Sequence, residues 1–304
     1  MLKKSKRKSR QHTLSKMLEE AHQGHPMRRH LYEELENAFG GNVVVVSLFT
    51  SFRWPVVLED TDADMLEELL HSCDCPTKKL VLIINSPGGE AFAAERIVNI
   101  CRSFSPKGFS VIVPKMAKSA ATMVCLGATE IIMSATSELG PVDPQIPVQD
   151  GDDTRYLAAH EIIESYKDLF SKANRTKGRL EPFLQQLQRF DARDIRRIVS
   201  AQELSASIAI KCLKDGMLSR FSEKQIKKKI SPFLDPAITK AHGRPIYHDV
   251  ALKCGLNVKL HDIHTDLWKQ VWELYMRCNY VVSNAQLRLA KLVESLDDYY
   301  VASV

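Results

Sequence analysis

Between residues 43 and 133 the chain alternates short apolar segments with segments of helical periodicity, and this alternation limits its fold more than any other feature. Strands are predicted at 43–49, 80–84, 109–113 and 130–133, and helices at 28–39, 60–71, 90–104 and 119–127. The strand segments are rich in β-branched residues and almost entirely apolar, which is typical of strands buried on both faces. A helix between two such strands makes them parallel. The sequence therefore predicts an α/β protein with a mostly parallel sheet.

Helical patterns dominate the rest of the chain. Helices are predicted at 156–173, 181–188, 194–214 and 266–296, with one weak strand at 257–260. The last of these helices carries an apolar face, so we expect a helical C-terminal region. The predicted organisation is a basic flexible tail at 1–28, one α/β domain at 29–260 and a helical extension at 261–304.

Composition places the chain among globular proteins. Its 304 residues are 44% hydrophobic and 26% charged. No apolar run approaches the ~18 residues of a membrane-spanning helix. The seven cysteines are scattered, and the closest pair, Cys73 and Cys75, does not have a usual zinc spacing. We therefore expect reduced thiols, a cytoplasmic location and no metal or other cofactor.

The net charge of +5 is unevenly distributed. Basic side chains crowd the first ten residues: Lys3, Lys4, Lys6, Arg7, Lys8 and Arg10. No aromatic residue lies among them to stack on bases. We expect a solvated tail whose contact with polyanions is weak and electrostatic.

Two predicted strand-to-helix turns contain the groups that acyl transfer needs. Residues 85–89, Asn-Ser-Pro-Gly-Gly, lead from a strand into a helix, and Ser119 begins a helix of small residues after the next strand. Adjacent glycines let backbone N–H groups approach an anion, and a helix N-terminus reinforces the effect. A serine hydroxyl beside such amides combines a nucleophile with an oxyanion hole. Taken separately, the glycines have a simpler explanation as a plain turn, and Ser119 as a helix N-cap.

Several motifs in a fixed order strengthen the catalytic interpretation. They are Asn-Ser-Pro-Gly-Gly at 85–89, Val-Pro-Lys-Met-Ala-Lys-Ser-Ala-Ala-Thr at 113–122, Ala-Thr-Glu-Ile-Ile-Met at 128–133, Leu-Gly-Pro-Val-Asp-Pro-Gln at 139–145, Ala-His-Gly-Arg-Pro-Ile at 241–246 and Cys-Gly-Leu-Asn-Val at 254–258. This pattern resembles the serine dehydrogenase proteinase family, which belongs to the ClpP/SppA class of serine peptidases. The resemblance covers about residues 30–260.

The resemblance implies a ClpP/crotonase-like spiral of βαβ units, a peptide or protein substrate and a homo-oligomer. By the motif match, Ser119 corresponds to the nucleophile. The backbone amides of Gly88, Gly89 and Ala120 correspond to the oxyanion hole. A valine in place of Gly89 is then expected to crowd the oxyanion pocket or to rotate the Gly89 amide away from it.

The general base is where the chain departs from ClpP-type enzymes. The place of their histidine is taken here by Asp143, which is either a turn residue or a polar member of the site. His242 is the histidine that best matches the family pattern. Lys118 is the candidate for a Ser/Lys dyad of the SppA type. His160, in a helical segment, is interpreted as a packing or surface residue.

Two rival functions keep the same fold. A crotonase-type enzyme would use the paired amides to stabilise an acyl-CoA enolate, without a serine nucleophile. A non-enzymatic scaffold would have lost its base, and its basic tail would contact nucleic acid. The favoured interpretation is an intracellular serine peptidase.

Overall fold

The computed structural model describes residues 13 and 17 and residues 24–75, 77–150, 153–235 and 244–304. The helices are α1 (Pro26–Ala38), α2 (Asp60–His71), α3 (Ala91–Phe104), α4 (Ala120–Gly127), α5 (Ala159–Arg175), α6 (Glu181–Leu187), α7 (Ala192–Lys214), α8 (Glu223–Lys229), α9 (Ser231–Leu234), α10 (His248–Lys253) and α11 (Asp266–Ser283). The strands are β1 (Val43–Thr50), β2 (Lys79–Asn85), β3 (Phe109–Val113), β4 (Met116–Ala117), β5 (Glu130–Ser134), β6 (Glu138–Leu139), β7 (Gln145–Asp150), β8 (Asp153–Ala158), β9 (Val258–His261), β10 (Leu289–Glu294) and β11 (Tyr299–Ser303).

A seven-stranded sheet in the order β11-β10-β1-β2-β3-β5-β9 forms the centre of the protein. Strands β1, β2, β3, β5 and β9 run parallel, while β10 and β11 are added antiparallel beside β1. Helices α2, α3 and α4 connect the successive parallel strands from β1 to β5. The predicted α/β class with a mainly parallel sheet is confirmed.

Both faces of the sheet are covered, and β1 shows why. Its residues Val44, Val46 and Leu48 belong to a core that includes residues of α2, α3 and α4. Val45 and Phe49 belong to a separate core on the other face, with residues of α1 and α11. Successive side chains of a strand point to opposite faces, so a strand that is apolar throughout needs cover on both sides. All residues of β1 are buried.

Buried ion pairs fix β10 to two helices. Arg28 in α1 donates from Nε to the carboxylate oxygens of Glu294 at 2.7 and 3.0 Å. Lys291 donates from Nζ to Asp62 of α2 at 2.8 Å. Burial raises the pKa of the Asp62 carboxyl, and Lys291 opposes the rise. Removing one member of a buried pair costs ~3–5 kcal/mol, so these contacts attach the end of the chain firmly.

The C-terminal helix is shorter than the sequence predicts. Helix α11 ends at Ser283, and β10 and β11 form a hairpin, so the helical prediction for 284–296 is wrong. Most of β10 is buried between the two layers of helices. Periodicity alone does not separate so short an apolar run from a segment of buried helix. The helical character of the region is confirmed for α11, and the domain limits at 28 and 260 stay predictions.

A second difference concerns residues 145–158, where the sequence predicts no strand. Here β7 and β8 pair antiparallel from Gln145↔Ala158 to Asp150↔Asp153. The segment is polar, and its β propensity is low.

Within the residues described, no helix combines the length and apolar character that crossing a bilayer requires.

Candidate active site

Ser119 lies in a strained turn between β4 and α4. Its backbone has φ 48° and ψ −120°, and its side chain makes no capping hydrogen bond to the helix. A positive φ is rare for residues other than glycine and costs of order 1–3 kcal/mol. The predicted N-cap explanation therefore does not account for this serine, whose backbone is held in place by its surroundings.

Gly88 packs directly against the Ser119 turn. A Cβ atom at Gly88 would lie 2.4 Å from the carbonyl oxygen of Lys118 and 2.7 Å from Cβ of Ser119. Gly88 also has φ +95°, which L side chains rarely adopt. Only glycine satisfies both conditions, so the two sequence motifs meet at this contact.

Gly89 faces in another direction. A Cβ atom there would lie 2.1 Å from the carbonyl oxygen of Leu58, in the segment before α2. The expectation that a side chain at Gly89 would crowd the oxyanion pocket is therefore wrong. Such a side chain would push against the backbone of Leu58 instead.

Backbone hydrogen bonds from Ser86 hold the two turns together. The Ser86 N–H donates to the Met116 carbonyl at 3.1 Å, and the Lys118 N–H donates to the Ser86 carbonyl at 3.0 Å. The Ser86 hydroxyl also accepts the Gly88 N–H at 3.1 Å. Ser86 thus connects the glycine turn to the strand that leads into Ser119.

Backbone amides near the serine differ in their availability. The Gly88 N–H is used by Ser86. The N–H groups of Gly89 and Ala120 have no hydrogen-bond acceptor among the residues described. Two uncommitted donors at a glycine turn and at the first residue of a helix are typical of an oxyanion hole.

Ser119 opens into a cleft of ≈ 730 Å³. The cleft is lined by Pro55, Val56, Val57, Pro87, Gly88, Gly89, Glu90, Ala91, Phe92, Ser119, Met123, Val142, Pro144, Gln145, Ile146, Tyr156, Ala201, Leu204 and Ser205. Its walls are mostly apolar, and Phe92 and Tyr156 are 63% and 64% exposed. Its volume lies within the ~300–1,000 Å³ range of small-molecule and cofactor sites.

Lys118 is directed away from the serine hydroxyl. Its ammonium donates to Glu138 Oε2 at 2.8 Å and to the Leu139 carbonyl at 3.2 Å. The Ser119 hydroxyl has no hydrogen-bond partner among the described residues. A Ser/Lys dyad would require Lys118 to leave its carboxylate partner.

Asp143 follows Val142 and precedes Pro144, which both line the cleft, and it is only 2% exposed. Its carboxylate accepts the side-chain amide of Gln202 at 2.9 Å and the backbone N–H of His160 at 3.4 Å. Burial raises the pKa of the Asp143 carboxyl, while these hydrogen bonds and the nearby His160 ring oppose the rise. Asp143 thus anchors the start of α5 and the side chain of Gln202.

His160, which the sequence places among the packing or surface residues, lies half-buried in the first turn of α5. Its backbone N–H donates to the Asp143 carboxylate at 3.4 Å. No local motif marks it, because the contact depends on how α5 docks onto residues 143 and 144. The family-matched His242 lies outside the described residues. Nearby Ile246 pairs with Leu139 of β6.

The site contains no evident metal centre. Among the residues that the structure describes, no three His, Cys, Asp or Glu side chains are grouped to hold an ion.

The structural comparisons match large parts of the chain at low similarity. One mutant of the 1510-N membrane-bound stomatin-specific protease matches with a TM-score of 0.33 and 16% identity, over 72% of this chain and 97% of that chain. A second mutant, in complex with a substrate peptide, matches with a TM-score of 0.32 and 17% identity, over 77% and 97%. Likeness at this level supports no conclusion about the site.

Sequence comparisons give shorter but closer matches. An uncharacterized protein of Methanocaldococcus jannaschii is 36% identical over 111 residues, which are 36% of this chain and 34% of the relative. A second uncharacterized protein of that organism is 38% identical over 93 residues, 30% of each chain. The matched region thus spans about a third of the length of these curated relatives.

The family model of the ClpP-like SDH-type serine proteinases matches residues 56–164. This segment contains Gly88, Gly89, Ser119 and Asp143, which carry the geometry described above. Residues 56–164 are therefore similar to the ClpP-like SDH-type serine proteinases, and within this segment the resemblance predicted from the motifs is confirmed.

Proposed function

We propose that this chain is a serine peptidase in which Ser119 is the nucleophile and the amides of Gly89 and Ala120 form the oxyanion hole. The family match supports a ClpP-like serine peptidase at the level of the family. One observation carries the residue assignments: a strained Ser119 turn in contact with Gly88, beside two uncommitted amides, at the edge of the cleft.

The proposed reaction has two steps. Ser119 Oγ forms a bond to the peptide carbonyl carbon and gives its proton to the base, and the carbonyl oxygen becomes an oxyanion held by two N–H groups. The C–N bond then breaks, and the amine leaves with the proton. Water attacks the acyl-enzyme in the same way and restores the serine. Each oxyanion donor typically contributes about 100- to 1000-fold in rate.

Labelling with a fluorophosphonate probe tests the nucleophile. We expect the wild-type chain to be labelled at Ser119, identified by mass spectrometry of the modified peptide. The matched control is Ser207→Ala, which removes an exposed serine hydroxyl on α7 and should leave labelling unchanged. A folded wild-type chain that is not labelled would contradict the proposal and favour crotonase-type chemistry or a scaffold.

We assign the general base to His160, whose backbone N–H donates to the Asp143 carboxylate at 3.4 Å. Asp143 lies between the cleft-lining residues Val142 and Pro144, and the Ala159 N–H donates to the Pro144 carbonyl at 2.8 Å. The first turn of α5 therefore lies against the wall of the cleft. In enzymes without substrate the hydrogen bond between base and nucleophile is often long, and it tightens on binding. His242, from the motif, is the rival base.

Replacing His160 with alanine is expected to slow Ser119 labelling about 100-fold or more, because the hydroxyl would lose its proton acceptor. Asp143→Asn is expected to slow labelling less, because it weakens the hydrogen bond that holds the first turn of α5 in place. The rates are compared with those of His30→Ala, an exposed histidine on α1. A loss confined to His242→Ala would transfer the role to that residue.

The proposal has three further parts: the substrate is a peptide, the chain forms a homo-oligomer, and its basic tail binds polyanions. The six basic residues of the tail lie outside the described part of the chain. Deleting residues 1–12 is expected to leave labelling and the mass measured by light scattering unchanged, and to weaken retention on heparin. Lower mass after truncation would give the tail a structural role. The homo-oligomer and the cytoplasmic location stay predictions.

A further inference from the structure

The strained backbone of Ser119 needs support from its surroundings. A residue with φ 48° does not keep that conformation by itself, because the positive φ costs free energy that a return to negative φ would recover. Such residues persist only where neighbouring contacts fix the segments on either side. Residues 138–140, which we call the brace segment, make contacts on both sides of Ser119.

Before the serine, the brace segment holds Lys118. Met116 and Ala117 pair with Glu138 and Leu139 in a two-stranded ladder. The Lys118 ammonium donates to the Glu138 carboxylate and the Leu139 carbonyl. The two charged side chains are 16% and 24% exposed, so solvent screens the pair less than it would screen an exposed one. A Cβ atom at Gly140 would lie 2.9 Å from Cδ of Lys118, so the aliphatic stem rests on that glycine.

After the serine, the brace segment holds Thr122. This threonine is fully buried in the first turn of α4. Its hydroxyl donates to the Ala117 carbonyl at 2.7 Å and accepts the Gly140 N–H at 3.0 Å. One side chain thus connects the strand before Ser119, the helix after it and the brace segment.

We propose that Lys118 and Thr122 are positioning residues, which hold Ser119 in its strained conformation through contacts with the brace segment. This inference rests on the proposed nucleophile. It assigns the Lys118 ammonium to the Glu138 carboxylate and leaves it no part in proton transfer. The chemistry of Ser119 then depends on an ion pair and a buried hydroxyl that touch neither substrate nor reacting atoms.

The test measures fluorophosphonate labelling of the full chain in Lys118→Met, Glu138→Gln and the double variant. Methionine retains the length and apolar stem of lysine. We expect each single change to slow the inactivation step about 10- to 100-fold without changing probe affinity. The double variant should be no slower than the slower single variant, because both changes remove the same contact. Lys115→Met, an exposed lysine on the same approach segment, is the matched control and should label like wild type.

Thr122 gives an independent arm of the test. Thr122→Val keeps the shape of the side chain and removes both hydrogen bonds, so labelling should slow by a similar factor. Thr122→Ser restores the hydroxyl and should recover most of the rate. Thermal unfolding of each variant separates repositioning from loss of the fold.

Three results would overturn the proposal. Abolished labelling in Lys118→Met, with Glu138→Gln as fast as wild type, would make the lysine a base. Labelling at the wild-type rate in all the Lys118, Glu138 and Thr122 variants would show that the contacts with the brace segment do not position Ser119. Amide hydrogen exchange of residues 116–124 gives a readout without labelling. We expect faster exchange in Lys118→Met and Glu138→Gln, and unchanged exchange would contradict the brace even if Ser119 proves not to be the nucleophile.

Discussion

Replacing Ser119 with alanine is expected to abolish peptide hydrolysis and fluorophosphonate labelling while leaving the fold intact. The change removes the only atom that forms the acyl bond in the proposed reaction, and loss of a nucleophile costs several orders of magnitude in rate. Alanine keeps the Cβ atom that packs near Gly88, so the thermal midpoint should change little. Hydrolysis of a fluorogenic peptide and circular dichroism measure the two effects.

A companion change separates strain from chemistry at the same position. Ser119→Gly also removes the hydroxyl, but glycine tolerates a positive φ without cost. We therefore expect the free energy of unfolding of Ser119→Gly to exceed that of Ser119→Ala by about 1 kcal/mol. Ser119→Gly should accordingly unfold at a higher temperature. Equal stability of the two variants would mean that the backbone is not strained. More than a tenth of wild-type hydrolysis in Ser119→Ala would remove the serine from the mechanism.

Replacing Gly88 with alanine is expected to reduce Ser119 labelling by about 100-fold, the loss typical of a reacting group displaced by about 1 Å. The new methyl group would overlap the Lys118 carbonyl and the Ser119 Cβ atom, neither of which can move without displacing the nucleophile turn. The clash should also destabilise the protein by about 1–3 kcal/mol. Labelling rates and urea unfolding of the same samples measure both consequences.

The matched control for Gly88→Ala is Gly40→Ala. Gly40 has φ +89°, close to the +95° of Gly88, but a Cβ atom there meets nothing within 4 Å. The control therefore carries the backbone cost of a positive φ without the clash. We expect it to lose some stability and to label at the wild-type rate. A Gly88→Ala variant that labels as fast as Gly40→Ala would remove the glycine turn from the site.

Much of the fold follows from local sequence. Strand β3 and helix α2 have the predicted limits; β1 and β5 are longer than predicted by one residue at one end, and β2 by one residue at each end. These segments are either apolar throughout or carry a clear helical stripe, so periodicity identifies them. The β10–β11 hairpin was missed because β10 pairs with β1, far away in the chain, and β11 pairs only with β10.

In the candidate site, too, some features follow from local sequence and others depend on residues far away in the chain. Ser119 and Gly88 were predicted from motif order, and the structure brings their backbones into contact. The direction of Gly89 towards Leu58 and the pairing of Lys118 with Glu138 were not predicted. Each depends on a residue at least 20 positions away, so no local pattern reports it.

By itself, the sequence determined the α/β class, the order of the strand-to-helix turns and the two turns that meet at the serine. Those features follow from local propensity and from the short connections between parallel strands. Only the tertiary structure decided which polar groups are paired and which remain free. In the structure Lys118 pairs with the Glu138 carboxylate, and Asp143 accepts a backbone N–H at the start of α5. The Gly89 and Ala120 amides have no acceptor among the described residues. The physical reason is that a side chain or amide takes its partner from whatever non-local packing brings within hydrogen-bond distance.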